Sequence, residues 1–206
     1  MSKAKIEKGA VFERYEKKYM LTQAQFSHVV AMLDDAMQMD EYGQHTICTL
    51  YYDTEDYAVI RRCLEKPKFK EKLRLRSYGV PGLNSTVYLE LKKKLAGITY
   101  KRRVPLAYPE AMAYLRDGEP PANRGQIFRE IDWYAGQQPL SGRALICYDR
   151  IALFGREDPQ LRITFDANIR WRDYSMQLDK GDHGALLLPP GIHLMEIKTL
   201  RALPCW

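Results

Sequence analysis

The chain has 206 residues, 46% hydrophobic and 28% charged, with 32 Lys and Arg against 26 Asp and Glu for a formal charge of +6. That length carries one domain with a real core, and the composition excludes a disordered or fibrous chain. The basic balance points to an anionic partner, without separating nucleic acid, an acidic membrane or a phosphorylated small molecule.

Phe12 to Leu21 reads as a first strand, with Arg14, Glu16 and Lys18 on one face and Tyr15, Lys17 and Tyr19 on the other. Thr22 is the expected N-cap of a helix, with Gln25 completing a capping box. Phe26, Val29, Val30, Leu33 and Met37 then recur at helical spacing as an apolar stripe for the core. A strand over His45 to Tyr52 leads to Asp53 or Thr54, either of which can cap a short helix carrying Tyr57, Ile60 and Leu64 on one side. Pro67 ends it.

The most informative stretch is a hairpin, Leu73–Tyr78 and Thr86–Lys94, turning through residues 79–84. Side chains of a strand alternate between faces. Arg74 and Arg76 therefore share one face, as do Tyr88, Glu90, Lys92 and Lys94, while Leu73, Leu75, Val87, Leu89 and Leu91 share the other. The pattern recurs in Ile98 to Leu106, where Lys101 and Arg103 oppose Arg102. Two helices follow, Pro109–Arg116 and Gly125–Gln138, the second with Ile127, Ile131 and Tyr134 as its apolar side. The Gly- and Pro-rich break between them is too short for a domain linker, so residues 1–206 read as one domain.

The last third is strands. Ala144–Phe154 places Tyr148 and Arg150 together with Asp149 opposite, and Leu161–Asn168 sets Arg162, Thr164 and Asp166 against Leu161, Ile163 and Phe165. Ile169–Gln177 reads as one more strand, residues 179–184 as a loop in which His183 is solvated, and His193–Thr199 as a strand with Glu196 and Lys198 on one face. The four cysteines (Cys48, Cys63, Cys147, Cys205) are scattered, with no Cys-x-x-Cys pair, and read as reduced thiols. No apolar run reaches the roughly 18 residues of a membrane helix, and the N-terminus lacks a signal peptide's apolar segment. A cytoplasmic protein with no membrane segment in this chain is expected.

Eight or nine mostly antiparallel strands with few helices predict an α+β fold built on a closed or nearly closed barrel, because closure removes exposed edges. If helices cover the apolar face, the charged rows line a tunnel. Lys18, Arg74, Arg76, Lys92, Lys101, Arg150 and Arg162 would then face only Glu16, Glu90 and Glu196. Like charges held in a low-dielectric enclosure repel by several kcal/mol, so such a tunnel must hold water or a polyanion. A linear triphosphate matches Arg forks and Lys point charges, and a carboxylate among them would hold a divalent ion bridging phosphate oxygens.

Seven segments in order, residues 12–21, 50–57, 72–79, 89–92, 148–150, 161–166 and 194–198, together resemble the VTC domain. This is the catalytic domain of the vacuolar transporter chaperone complex and of bacterial relatives, within the triphosphate tunnel (CYTH-like) superfamily. The resemblance implies an eight-stranded antiparallel β tunnel, a closed barrel with helices packed on the outside. It implies transfer of the γ-phosphate of ATP to a growing polyphosphate chain with Mn²⁺ or Mg²⁺, with ATP, triphosphate and polyphosphate as partners and a membrane complex as one setting. Lys18, Arg74, Arg76, Lys92, Lys101, Arg150, Arg162 and Lys198, with Tyr148 beside them, resemble phosphate-binding residues. Glu196 resembles the metal-binding carboxylate, and Arg74, Arg76, Lys92 and Glu196 form the implied catalytic set.

Two departures accompany the resemblance. Arg14 stands where the superfamily often has an acidic residue, and the helix with a Ser-Lys-Tyr motif that usually follows the last strand, closing one tunnel mouth, has no counterpart after Trp206. The alternatives are a tripolyphosphatase or nucleoside triphosphatase on the same scaffold and a non-catalytic polyphosphate-binding module. Nucleic acid is not expected: the 14 tyrosines read as barrel exterior and core rather than as a stacking platform.

Overall fold

Wherever apolar and charged residues alternate, a strand forms. The computed structural model describes residues 15–96 and 98–199. Among them lie strands β1 (Tyr15–Thr22), β2 (Met37–Asp53), β3 (Phe69–Tyr78), β4 (Thr86–Leu95), β5 (Ile98–Ala107), β6 (Ser141–Gly155), β7 (Arg162–Arg172), β8 (Ala185–Leu186) and β9 (Ile192–Thr199). The helices are α1 (Gln23–Leu33), α2 (Ala58–Leu64), α3 (Tyr108–Asp117) and α4 (Gln126–Ala135). All ladders are antiparallel, in the spatial order β1-β9-β7-β6-β2-β3-β4-β5, and the two-residue β8 pairs with β7. No helix of the described residues is long and apolar enough to cross a membrane.

Register sorts the two faces. On one, Lys72, Lys92 and Lys101 stand in a row across three strands, and so do Arg74, Glu90 and Arg103. Further round, Lys18, Glu196 and Thr164 are aligned, as are Arg162 and Lys198. The other face is apolar. Cys48, Leu50, Leu73, Leu75, Val87, Leu89, Leu91, Leu145 and Cys147 are buried with Ala111 and Tyr114 of α3 and Phe128, Ile131 and Tyr134 of α4. A second cluster joins Leu153, Ile163, Phe165 and Met195 to Leu33, Phe26, Val29 and Val30 of α1. The helices thus cover the outer, apolar face, and the charged face looks into a cavity lined from all eight strands of the path.

The expected closed barrel does not form. Among the described residues no ladder joins β1 to β5, so the sheet stays open at that seam. Both seam strands carry adjacent cations, Lys17 and Lys18 on β1 and Lys101, Arg102 and Arg103 on β5, which oppose edge-to-edge pairing. Both edges still border one cavity, lined by Glu16 of β1 and by Thr99, Lys101 and Arg103 of β5.

Several local expectations also change. Met37 is not the end of the α1 stripe: α1 stops at Leu33, and Met37 opens β2 while entering the same core. β2 therefore begins well before His45. In α2 the buried residues are Val59 and Cys63, whereas Tyr57, Ile60 and Leu64 are exposed. Asp53 and Thr54 set that phase: the Asp53 carboxylate accepts the amides of Val59 and Ile60 at 2.8 and 2.9 Å, and the Thr54 hydroxyl accepts that of Ala58 at 2.8 Å. In α4, Phe128 rather than Ile127 lies on the buried side. The two strands expected over Leu161–Asn168 and Ile169–Gln177 are one, β7, bulged where Asn168 takes a left-handed φ of 49°. The capping box at Thr22 is present, its hydroxyl accepting the Gln25 amide at 3.3 Å and the Gln25 side chain accepting the Thr22 amide at 2.9 Å. Phe12, Arg14, Cys205 and Trp206 lie outside the described residues.

If the apolar face is the core, two leucines one hairpin apart should behave oppositely. Leu89 is fully buried and Leu83, in the turn, is 77% exposed. Leu89→Ala should cost about 2–5 kcal/mol and Leu83→Ala less than about 0.5 kcal/mol in urea denaturation. Equal costs would mean that the leucine face is not the core.

Candidate functional site

The cavity measures about 2390 Å³, well beyond the roughly 300–1,000 Å³ of an ordinary small-molecule pocket. Thirteen Lys and Arg residues line it against Glu16, Asp40 and Asp53, and even with Glu90, Asp166 and Glu196 paired to several of them the cations outnumber the carboxylates.

Glu90 makes part of that charge tolerable. It is 0% exposed, and its carboxylate accepts from Arg74 Nε at 2.7 Å and Arg103 Nε at 2.5 Å, with Lys101 Nζ at 3.9 Å. Burial pushes its carboxyl pKa up, but Arg74, Arg76 and Arg103 outweigh that and hold it below the usual carboxylate range. A second group gathers around Glu196 on β9, whose carboxylate meets Lys18 at 3.1 Å and Lys198 at 2.5 Å, with Glu16 within hydrogen-bonding reach. Burial again raises its pKa, and the contacts with Glu16, Lys198 and Lys18 bring it down to about 2. A third pairing is bidentate: Arg150 donates from Nε and Nη2 to the two oxygens of Asp166, at 2.6 and 2.7 Å.

Other cations have no such partner. Among the described residues Lys72, Arg76, Lys92 and Arg162 form no ion pair. Arg76 is held by neutral hydroxyls, donating to Thr49 Oγ1 at 3.2 Å and Tyr148 Oη at 3.3 Å. The unbalanced field registers on its neighbours. Burial lowers the Lys92 pKa, as do Arg74 and Lys18, against an opposing pull from Glu16. Burial likewise lowers that of Lys101, Glu90 pulls the other way, and Arg103, Arg76 and Arg74 push it further down. At Tyr51 burial raises the phenol's pKa, yet Arg74, Arg76 and Lys72 bring it below its ordinary value.

Of the residues singled out from the sequence, Arg74, Arg76, Lys92, Lys101, Arg150, Arg162 and Lys198 line this one cavity. Tyr148 reaches it through Arg76, and Lys18 and Glu196 sit together beside Lys198. Missed were Lys72, Arg103 and Tyr51, all cavity-lining. The signal for Lys72 and Arg103 was present, since each is two residues from a chosen cation and therefore on its face. Tyr51 had no charge to mark it. Asp166 was read on the correct face, but its clamp on Arg150 needs the β6–β7 register. For a divalent cation the donors present are Glu16 and Glu196. Among the described residues no group of three or more His, Cys, Asp or Glu side chains gathers as a metal site. Two hard oxygen donors suit Mg²⁺ or Mn²⁺ when phosphate and water oxygens supply the rest.

Sheet order and lining define an antiparallel tunnel-like protein with a strongly cationic interior. The family model described as the VTC domain matches residues 13–206, and the chain belongs to that family. Among solved structures, a candidate adenylate cyclase from Bacillus halodurans superposes with a TM-score of 0.54 at 15% identity, covering 89% of this chain and 78% of its own. A candidate adenylate cyclase from Vibrio parahaemolyticus gives 0.49 at 12% identity, covering 95% and 79%. A candidate adenylyl cyclase from Hippeastrum, whose description reports a dominant triphosphatase activity, gives 0.47 at 14% identity, covering 91% and 79%. No curated protein matches the chain.

Two outcomes follow from the ion pairs. Glu90→Gln should destabilise the fold by about 3–5 kcal/mol in urea denaturation, the cost of leaving buried cations without their anion; a change within about 0.5 kcal/mol would mean that the cations do not need it. Glu196 has a folded pKa near 2 against an ordinary 4.5. Its contribution to stability is therefore complete above pH 4.5 and lost as pH falls towards 2. Unfolding free energy should drop across that window in the parent and drop less steeply in Glu196→Gln.

Proposed function

We propose that the chain is a polyphosphate polymerase-like tunnel enzyme that transfers the γ-phosphate of ATP to the end of a polyphosphate chain, with a divalent metal. The observation that carries this reading is the set Lys72, Arg76, Lys92 and Arg162, cations from three strands without ion pairs among the described residues that line one cavity. Uncompensated charge in an enclosure favours a ligand bearing many negative charges along its length. A single phosphate would answer one or two of these cations; a polyphosphate can run past all of them.

In this scheme a terminal oxygen of the polyphosphate, already ionised at neutral pH, attacks the γ-phosphorus. The bond from that phosphorus to the β-phosphate oxygen breaks, ADP leaves, and the chain grows by one unit with no change in oxidation state. Arg74, Arg76 and Lys92 neutralise charge spread over the transferring phosphoryl group, while Lys18, Lys101, Tyr148, Arg150, Arg162 and Lys198 hold the flanking phosphates. Glu196, with Glu16 beside it, would hold Mn²⁺ or Mg²⁺, which would supply positive charge to the phosphate oxygens. No protein nucleophile is required. Hydrolysis would instead need an activated water, and both Glu90 and Glu196 are tied to cations, which makes them poor bases.

The test is incubation with ATP and Mn²⁺, following ADP and long-chain polyphosphate by gel. Polymer with ADP is the expected result. Free phosphate without polymer would replace the polymerase by a hydrolase, and neither product would replace it by a binding module. Arg76→Ala should weaken tripolyphosphate binding by about tenfold, a loss of about 1.4 kcal/mol. Glu196→Gln should spare that binding and depress turnover; equal losses in both would remove Glu196 as the metal ligand.

A further inference from the structure

Several tyrosines do not lie on the exterior or in the core but at the cavity. Tyr42, Tyr78 and Tyr88 line it, together with His45. They form a continuous aromatic chain. Tyr42 meets His45 edge-on at 6.2 Å between centroids, His45 meets Tyr78 tilted at 5.8 Å, and Tyr78 meets Tyr88 edge-on at 5.7 Å.

The backbone is shaped to put Tyr42 there. Along β2, Met39 pairs with Leu153 of β6 and Gln44 with Ile151, so residues 40–43 bulge out against a single residue of the partner strand. Gly43 turns the chain with a φ of +57°, and the Asp40 carboxylate accepts the Tyr42 amide at 3.2 Å. Bulges of this kind re-aim a side chain beside a site. The result is 69% exposure for Tyr42 and 50% for Tyr78. Each edge-on contact covers one ring face and Arg103 lies over Tyr88, so the open aromatic surface is that of Tyr42 and Tyr78, and such surface at the rim of a cationic cavity serves no phosphate.

Arg103 joins this cluster to the phosphate row. Its guanidinium lies 4.1 Å from the Tyr88 centroid and donates to Tyr78 Oη at 3.1 Å, while its Nε donates to Glu90. A ligand touching both the aromatic chain and the cations beyond Arg103 needs a flat ring at one end and a run of phosphates at the other.

We infer that Tyr42, His45 and Tyr78, backed by Tyr88, form a stacking platform for the base of a nucleoside triphosphate whose phosphates extend past Arg103 towards Arg74 and Arg76. This rests on the reading of the cavity as a nucleotide-using phosphate channel and adds where the base goes. Stacking on aromatic rings tolerates any base, because every base has a π face. The platform therefore selects nucleotides over inorganic phosphates rather than one base over another.

The test compares dissociation constants for ATP and for inorganic tripolyphosphate by titration calorimetry in the parent, Tyr42→Ala and Tyr42→Phe. Tyr42→Ala should weaken ATP about tenfold and leave tripolyphosphate within twofold, and Tyr42→Phe, which keeps the ring, should restore ATP. Retained tripolyphosphate binding also reports that the variant is folded. Equal weakening of both ligands, or weakening of neither, overturns the platform. Polymer synthesis is not a readout here. An ATP-selective loss in a protein that makes no polymer leaves the platform standing and removes the polymerase, whereas polymer formation with no ATP-selective loss does the reverse. A parent protein that fails to bind ATP at all overturns both.

Discussion

The interaction on which the rest depends is the one between Glu90 and its cations. A strand that must bury leucines on one side and present arginines on the other delivers positive charge into the same enclosed space from every neighbour. Leu73, Leu75, Val87, Leu89 and Leu91 cannot enter the core without carrying Arg74, Arg76 and Lys92 inward on the opposite face. Glu90, on the central one of the three strands that carry this charge, receives Arg74 from one side and Arg103 and Lys101 from the other. It lowers the cost of assembling the row while leaving a surplus. Complete neutralisation would yield a stable sheet with nothing to attract a ligand.

The face-sorting was legible because a period of two is enforced by backbone geometry. Arg74, Arg76 and Lys92 could be placed together from parity alone, and Lys72 and Arg103 obeyed the same parity without being chosen. Closure was not legible. Whether β5 meets β1 depends on twist and stagger accumulated over eight strands, and the adjacent cations of the two edge strands, which disfavour pairing, do not by themselves say which strands become the edges. The buried side of α2 escaped for a nearer reason: Asp53 grips the amides of Val59 and Ile60 from outside the helix, so the phase is set by a residue that helical periodicity ignores. Tyr78 and Tyr88 share the parity of Arg76 and Glu90 and were legible, but Tyr42, which completes the aromatic rim, needs a bulge. Residues 40–43 of β2 break the alternation that made everything else readable, and Tyr42 cannot be assigned a face by counting.

The cations then divide into two kinds with different work. Arg74, Arg103 and Arg150 are locked by carboxylates on neighbouring strands, which fixes their positions before any ligand binds. Arg76, Lys92, Lys72 and Arg162 keep their charge unspent. On the proposed reading, preorganised charge would hold phosphate oxygens without reorganisation, and unpaired charge would supply the attraction for a polyanion. Neither kind suffices alone. Locked arginines without surplus would give a rigid but neutral channel, and unpaired lysines without anchors would repel one another in a sheet that, among the described residues, no ladder between β1 and β5 closes. The open seam is compatible with a defined channel only because Glu90 and Glu196 hold the cations on either side of it.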